Sequence, residues 1–231
     1  EMNKNIWIIV FAATLAVYIA GILMPNESLQ YICKPFLMPL LMVHFILQTK
    51  GISSSIKKWI VGALLFSWAG DVLLMFVPKN EIFFMLGLST FLIAHIFYIV
   101  FFHNVRIKES VKGNPWLMVI VVVYYGALIT VLSPHLADMK WPVRVYGIVI
   151  SFMFMLAMHM LFIKNKLAGK LMMIGALFFV ISDSVLAVNK FYQPFEAAGV
   201  IIILTYALAQ LFIVQGAIIY SNDKLKLSRR D

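Results

Sequence analysis

Long runs of apolar residues, separated by short polar turns, dominate this chain. A helix needs about 20 mostly apolar residues to cross the hydrocarbon core of a bilayer. The pattern predicts eight such helices, with turn-forming proline, glycine and asparagine at the breaks between them. No polar stretch is long enough for a second domain, so residues 1–231 are predicted to form one all-α, polytopic transmembrane domain. The predicted spans are 6–24, 30–48, 56–77, 81–103, 115–133, 141–163, 168–188 and 195–220.

The composition fits this class. Hydrophobic residues make up 63% of the 231 and charged residues 13%, with a mean hydropathy of +0.95. Soluble domains are about half apolar and a quarter charged. The net charge of +9 is spread over short loops, which argues against a nucleic-acid partner. The single cysteine, Cys33, cannot form an internal disulfide, and no motif calls for a cofactor.

The positions of lysine and arginine predict the orientation. Of the 19 such residues, 14 fall in the N-terminal segment, the even-numbered loops and the C-terminal tail. Only four fall in the odd-numbered loops, and Lys34 lies inside the second span. Because cytoplasmic segments are enriched in lysine and arginine, both termini are predicted to be cytoplasmic, in a bacterial inner membrane.

Two aspartates, Asp71 and Asp183, lie inside the third and seventh apolar segments. A carboxylate in hydrocarbon is costly and is usually retained for a function. Each lies about 15 residues, or roughly 22 Å, from the cytoplasmic end of its helix, so both are predicted to reach the outer half of the bilayer at one height. Lys34 is placed to meet them. The alternative is an inert ion pair that fixes helix register, but two acids and one base leave a charge imbalance that such a pair would not need.

A weak internal similarity accompanies the aspartates. Segments 64–71 and 176–183 both end in aspartate, and each is followed one helix later by alanine and a polar residue, Ala94-His95 and Ala209-Gln210. Four spans in each half predict a parallel 4+4 repeat, related by an axis along the membrane normal.

Other polar residues inside the spans are candidates for a supporting role. His95 and Tyr98 share one face of the fourth span, and Tyr206 and Gln210 share one face of the eighth. Hydrogen bonding between helices is the commoner use of such residues in membranes, and for Gln210 it has the same weight as a functional role. His95 is predicted to belong to the site, because it is the most titratable group near the membrane centre.

A metal site is the less favoured interpretation of the histidines. His44, His95 and His159 fall in three descending spans and are predicted to lie towards the cytoplasmic half, away from the aspartates. Catalytic zinc needs three protein ligands and an open position. None of the three belongs to a paired ligand motif, so no metal is predicted.

Several short segments, taken together, resemble the YhhN family of membrane proteins, whose animal members are lysoplasmalogenases. The segments are Lys34-Pro35; Ser67-x-x-Gly70-Asp71-x-x-Leu74; Gly87-x-x-x-Phe91-x-x-Ala94-His95-x-x-Tyr98; Gly175-Ala176-x-x-Phe179 followed by Ser182-Asp183; and Tyr206-x-x-Ala209-Gln210. The resemblance implies an eight-helix hydrolase that takes a lysophospholipid from the bilayer. It would cleave the vinyl ether bond of a lysoplasmalogen to a fatty aldehyde and a glycerophospho-ethanolamine or -choline. Asp71 and Asp183 would be catalytic; the supporting residues would be Lys34, His95, Tyr98, Ser182, Tyr206 and Gln210.

The residues are compatible with that chemistry. A vinyl ether breaks when its β-carbon is protonated, which forms an oxocarbenium ion that water captures. One protonated and one ionised carboxyl group supply both the acid and the stabilising charge. The chain has no Gly-x-Ser-x-Gly elbow for ester hydrolysis. Asp71 is predicted to be the ionised member because Lys34 is near.

Charges and rival functions complete the predictions. The candidate phosphate partners on the outer side are Lys34, Lys79, Lys140, Arg144 and Lys190. Lys34 is the favoured one, and the other four are more simply interpreted as solvated loop charges. A proton-coupled carrier would also use paired membrane carboxylates. A metal-dependent lipid amidase or esterase would use the three histidines. Both functions stay open as alternatives.

Overall fold

The computed structural model describes residues 6–52 and 55–228, and the regular structure within these ranges is entirely helical. This confirms the predicted all-α class. The predicted cytoplasmic termini, residues 1–5 and 229–231, lie outside the described residues. The long helices are α1 (Ile6–Leu23), α2 (Glu27–Gln48), α3 (Ser55–Leu74), α4 (Ile82–Lys108), α5 (Pro115–Leu132), α6 (Lys140–Met158), α7 (Lys166–Ala187) and α8 (Ala198–Ser228).

Most helices have the length and hydropathy expected of membrane spans. Seven helical segments of the described chain qualify by length and composition. The exception is α3, whose 20 residues include Lys57, Lys58 and Asp71. It packs along α4 and against α2, and of its charged residues Asp71 is buried whereas Lys58 is exposed. Several helices fit a multi-pass membrane protein, as the sequence predicts.

Two boundaries differ from the predicted spans in ways that affect the site. α3 ends at Leu74 instead of 77, because the chain turns there ahead of Pro78. The hydroxyl of Tyr31 donates to the Met75 carbonyl oxygen at 3.0 Å, which satisfies one acceptor left free by that end. α7 is followed by a π-helical turn, Val188–Tyr192, in place of a simple loop.

Asparagines set the start of three helices. The side chain of Asn26 accepts from the Leu29 amide, that of Asn114 from the Trp116 amide, and that of Asn165 from the Ala168 amide. Each bond satisfies an amide that a helix start leaves without an intrahelical partner. Asn26 and Asn114 lie between spans predicted from the sequence, so these predicted breaks coincide with capped helix starts.

The helix α2 carries two internal prolines, Pro35 and Pro39. Proline has no amide hydrogen, so Pro39 leaves the carbonyl of Pro35 without its helical partner. The indole of Trp68 in α3 donates to that oxygen at 2.9 Å. In hydrocarbon an unsatisfied carbonyl is expensive, so this bond both repairs α2 and docks it against α3.

The helices pack as close pairs, α3 with α4 and α7 with α8, and α6 packs against both α4 and α7. Glycines permit the closest approach. A Cβ atom at Gly175 of α7 would lie 2.8 Å from the Ala209 carbonyl oxygen, and one at Gly216 of α8 would lie 2.8 Å from the Ala168 carbonyl oxygen. Small residues of this kind let membrane helices touch backbone to backbone. The 4+4 repeat stays a prediction.

Candidate functional site

A cavity of about 280 Å³ lies between six helices, α2, α3, α4, α6, α7 and α8. It reaches from the last turns of α3 and α7 to the connections that follow them, at Val77 and Lys190. Most of its wall is leucine, isoleucine, valine and phenylalanine. Five predicted site residues contribute to its polar wall: Lys34, Asp71, Ser182, Asp183 and Tyr206.

Asp71 is held at the cavity by α3 and α8. Its side chain is buried, and its Oδ2 accepts a hydrogen bond from the Tyr206 hydroxyl at 2.8 Å. The ring of Tyr206 is itself fixed by edge-on contacts with Phe91 and Phe179, with ring centroids 5.7 Å apart in both cases. The carboxyl group is thus oriented by a tyrosine that cannot easily turn away.

Asp183 is held in a similar way by α7 and α6. Its Oδ2 accepts a hydrogen bond from the Tyr146 hydroxyl at 2.6 Å. The Nε2 atom of His95, in α4, lies 3.6 Å from the same oxygen. Unlike Asp71, Asp183 is only half-buried and its side chain stays partly accessible from the cavity.

The histidine behind Asp183 has a defined orientation. His95 Nδ1 lies 2.6 Å from the Phe91 carbonyl oxygen, and because a carbonyl only accepts, Nδ1 carries a hydrogen. Its buried Nε2 has no hydrogen-bond partner among the described residues and lies nearest the Asp183 carboxyl. The Nε2 edge of the ring therefore faces Asp183.

The predicted depth of His95 is wrong. We expected it in the cytoplasmic half, apart from the aspartates, whereas its Nε2 atom lies 3.6 Å from Asp183 Oδ2. α4 runs to Lys108 and has 27 residues, roughly 40 Å of helix, which is longer than the hydrocarbon core. Counting from the predicted outer end at 81 over a shorter span placed His95 too deep; it lies at the helix midpoint.

Lys34 lines the same cavity as both aspartates. No nitrogen–oxygen distance of 4 Å or less joins it to either carboxyl group within the described ranges. Its charge therefore acts across the cavity and does not form a closed ion pair. The inert, register-fixing pair considered from the sequence does not match this geometry.

Tyr98 and Gln210 lie behind the cavity and do not line it. The Tyr98 hydroxyl donates to Gln210 Oε1, and Gln210 Nε2 donates to the Ser67 hydroxyl at 2.9 Å. All three side chains are fully buried. Their contacts are the interhelical bonds, joining α3, α4 and α8, that the sequence left open for Gln210. Ser182, by contrast, lines the cavity and donates to the Ile202 carbonyl at 3.0 Å.

Sequence reasoning missed two polar residues of the cavity wall, Tyr146 and Asn189, and interpreted a third, Lys190, as a solvated loop charge. Tyr146 shares its span with other polar residues, among them Arg144 and Ser151, and only its contact with Asp183 distinguishes it. Asn189 and Lys190 fall at the end of α7, where an ordinary loop was expected. The π-helical turn there adds a residue to the turn and directs both towards the cavity.

The histidines proposed as metal ligands have separate partners. His159 Nε2 accepts from the Asn114 amide at 3.1 Å, and His44 contacts the Gln215 side chain at 3.0 Å. Across residues 6–52 and 55–228, no three His, Cys, Asp or Glu side chains gather into a potential metal site. The geometry therefore offers no support to the histidine-based alternative.

The fold and cavity define a class: helical membrane proteins with two carboxyl groups, from separate helices, facing one largely apolar cavity. The chain belongs to the YhhN family, whose family model matches residues 29–217. The family predicted from the sequence is thereby confirmed.

Named relatives point to a hydrolase, in agreement with the predicted enzyme class. The chain is 28% identical over 218 residues to lysoplasmalogenase TMEM86B of Homo sapiens, covering 92% of this chain and 86% of the relative. It is 27% identical over 222 residues to lysoplasmalogenase TMEM86B of Sus scrofa, covering 92% and 87%. A lysoplasmalogenase of Mycobacterium bovis is 31% identical over 163 residues, covering 69% and 60%. No solved structure matches the chain.

Proposed function

We propose that this protein hydrolyses the vinyl ether bond of lysoplasmalogens within the membrane, releasing a fatty aldehyde and a glycerophospho-base. The observation that carries the proposal is the convergence of Asp71 and Asp183 on one apolar-walled cavity, each with a tyrosine donor. The names of the relatives supply the substrate class. Acid catalysis at carbon by a pair of carboxyl groups supplies the mechanism.

The cavity suits an amphiphile with one polar end. Most of its wall is apolar and would accept the alkenyl chain, whereas Asn189 and Lys190 lie where the cavity reaches the helix connections. The substrate would lie with its ether bond beside the aspartates and its phosphate towards those connections. The positive-inside rule puts that end outside the cytoplasm, with both termini inside.

We assign Asp183 as the acid. It lines the cavity, and its nearest basic neighbour is the ring of His95, 3.6 Å away. The charge of Lys34 interacts with Asp71 and not with Asp183. A carboxyl group without a cationic partner in a low-dielectric site keeps its proton more readily than one that faces a lysine. Asp183 would donate that proton to the β-carbon of the vinyl ether.

Asp71 would stay ionised and stabilise the oxocarbenium ion. Lys34 interacts electrostatically with this carboxyl group, and a nearby positive charge favours its charged form. A fixed carboxylate aimed at a developing positive charge is a strong source of transition-state stabilisation in a site that excludes water.

The remaining steps use the same two groups. After protonation Asp183 is a carboxylate, and it takes a proton from the water that attacks the oxocarbenium carbon. Asp183 then returns that proton to the glycerol oxygen as the hemiacetal C–O bond breaks. It takes up the proton of the hemiacetal hydroxyl as that oxygen becomes the aldehyde carbonyl, which leaves a neutral aldehyde and a free glycerol hydroxyl. One water is consumed and the carboxyl group is regenerated, so no covalent enzyme intermediate or external cofactor is required.

The decisive experiment offers purified protein a panel of lysophospholipids with ester, alkyl ether and alkenyl ether chains. We expect aldehyde from the alkenyl species alone, no effect of a chelator, and loss of product in both Asp71→Asn and Asp183→Asn. Equal cleavage of ester species contradicts protonation at carbon. Chelator-sensitive activity lost in His159→Ala supports a metal enzyme, and pH-dependent uptake into proteoliposomes without product supports a carrier.

A further inference from the structure

Lys190 lies at the end of the cavity that reaches the helix connections. It lies on the π-helical turn Val188–Tyr192, which is closed by the Gln193 amide donating to the Val188 carbonyl at 2.9 Å. Asn189 beside it is fixed, because its Oδ1 accepts from the Phe195 amide at 3.1 Å. π-helical turns are rare and are frequent at functional sites. This turn places a cation on the wall of a cavity that is otherwise largely apolar.

The ammonium group of Lys190 has a carboxylate partner from another connection. Its Nζ lies 3.4 Å from Glu81 Oε1, just before α4, and 5.2 Å from the centre of the Phe84 ring. The two side chains differ in exposure, at 33% for Lys190 and 88% for Glu81. An exposed ion pair of this kind contributes only about 0–1 kcal/mol, so a competing anion can exchange with Glu81 at little cost.

We propose that Lys190 and Glu81 form the headgroup site of the substrate, in which Lys190 binds the phosphate and Glu81 binds the cationic nitrogen. The inference rests on the proposed function and deepens it: it specifies zwitterionic over net-anionic lysophospholipids. On binding, the intramolecular ion pair is replaced by two intermolecular ones. The headgroup therefore keeps both protein charges neutralised.

The spacing along α7 fits this arrangement. Asp183 and Lys190 are seven residues apart, or about 10 Å at the rise of an α-helix, and both line the cavity. The aliphatic part of the Lys190 side chain is long enough to extend part of the distance towards Asp183. A glycerol backbone separates the ether oxygen from the phosphate in the substrate, so an ether bond beside Asp183 puts the phosphate within reach of Lys190. The sequence interpretation of Lys190 as a solvated loop charge overlooked this relation.

The test measures binding of ligands that cannot be cleaved, so that it does not depend on catalysis. The probes are 1-alkyl-glycerophosphoethanolamine, the matching glycerophosphoglycerol lipid, which has a phosphate but no amine, and 1-alkylglycerol, which has neither. The variants are Lys190→Gln and Glu81→Gln. Lys79→Gln and Glu196→Gln are matched controls, since both lie near this end of the bundle and neither lines the cavity.

We expect Lys190→Gln to weaken both phosphate-bearing lipids about tenfold and to leave 1-alkylglycerol unchanged. Glu81→Gln should weaken only the ethanolamine lipid, by about three- to tenfold, and so abolish the preference over the glycerol headgroup. The controls should bind like the wild type. Equal losses for all three ligands would indicate a structural defect and overturn the site, as would no loss for any of them.

Failure of the two proposals can be told apart. Wild-type protein that binds the ethanolamine lipid in a Lys190-dependent manner, but releases no aldehyde from its alkenyl counterpart, keeps the headgroup site and refutes the hydrolase. Wild-type protein that releases aldehyde, with unchanged KM in Lys190→Gln for phosphate-bearing substrates, keeps the hydrolase and refutes the headgroup site.

Discussion

Carboxyl groups are buried at both ends of this bundle, but their surroundings differ. At the cavity, Asp71 and Asp183 each accept a hydrogen bond from a tyrosine and face open space. At the other end, the side chain of Glu109 is only 2% exposed and has several donors. They are Lys224 Nζ at 2.7 Å, the Lys164 amide at 3.1 Å and the Tyr220 hydroxyl at 3.4 Å.

The difference separates a structural carboxylate from a reactive one. Glu109 follows α4 and binds the connection before α7 as well as α8, so its bonds join three parts of the chain. Burial alone would raise the pKa of Glu109, but the bonds from Lys224, Lys164 and Tyr220 outweigh it and hold that pKa below its ordinary value. Such a group has no reason to exchange a proton near neutral pH. The carboxyl oxygens of Asp71 and Asp183 can accept further hydrogen bonds, and a ligand can reach them through the cavity.

The largest expected effect tests this difference directly, by neutralising each carboxyl group in turn. Asp183→Asn removes the proposed acid and should lower kcat by about 10²–10⁴-fold. Asp71→Asn removes the stabilising charge and should lower it by about 10²–10³-fold. Aldehyde release from a lysoplasmalogen, measured in detergent, gives both numbers. Glu109→Gln is the matched control at the opposite end and should keep wild-type turnover. Comparable losses of kcat in all three variants would show that the two aspartates and Glu109 do not differ in catalytic role.

A smaller effect is expected from the tyrosine that holds Asp183. Tyr146→Phe removes a hydrogen bond of 2.6 Å to Oδ2 but keeps the ring that packs against His95. We expect a loss of about tenfold in kcat with little change in KM, because the acid loses its orientation and not its proton. Tyr125→Phe is the control, since its hydroxyl donates to the Arg144 carbonyl instead. If the two variants have equal turnover, Tyr146 has only a packing role.

The sequence located the main elements of the site because the cost of charge in hydrocarbon makes them conspicuous. Asp71, Asp183 and Lys34 are ionisable residues in apolar spans, and simple depth counting brought them to one level. The same counting failed for His95, whose helix extends beyond the bilayer thickness. Depth can be predicted from sequence only where the helix ends are known.

Contacts between distant helices were beyond sequence reasoning. Tyr146 contacts Asp183 through the packing of α6 on α7, and no spacing rule relates two residues on different helices. Lys190 depends on a π-helical turn, for which the local sequence gives no distinctive signal. The caps at Asn26, Asn114 and Asn165 were foreseeable as breaks, since asparagine satisfies the first amides of a helix through its own side chain.

The role assigned to Glu109 predicts an effect on stability without one on catalysis. Glu109→Gln weakens its bond to Lys224, which is partly exposed and can be solvated instead. The expected loss is therefore modest, about 1–2 kcal/mol, and less than for a fully buried ion pair. The fall in thermal unfolding temperature in detergent is the measurement. Glu196→Gln, an exposed glutamate, should leave the unfolding temperature unchanged. Unchanged stability in both would mean that the Glu109 cluster does not hold the helices together.

The smallest and most specific effect is the pH dependence of that stability. Because the folded pKa of Glu109 lies below its unfolded value of about 4.3, its contribution is complete above that value. It is lost as the pH falls through the folded pKa, when both states become protonated. The difference in unfolding temperature between wild type and Glu109→Gln should therefore shrink from pH 7 to pH 3. A difference that stays constant over this range would assign the stabilisation to packing of the side chain and not to its charge.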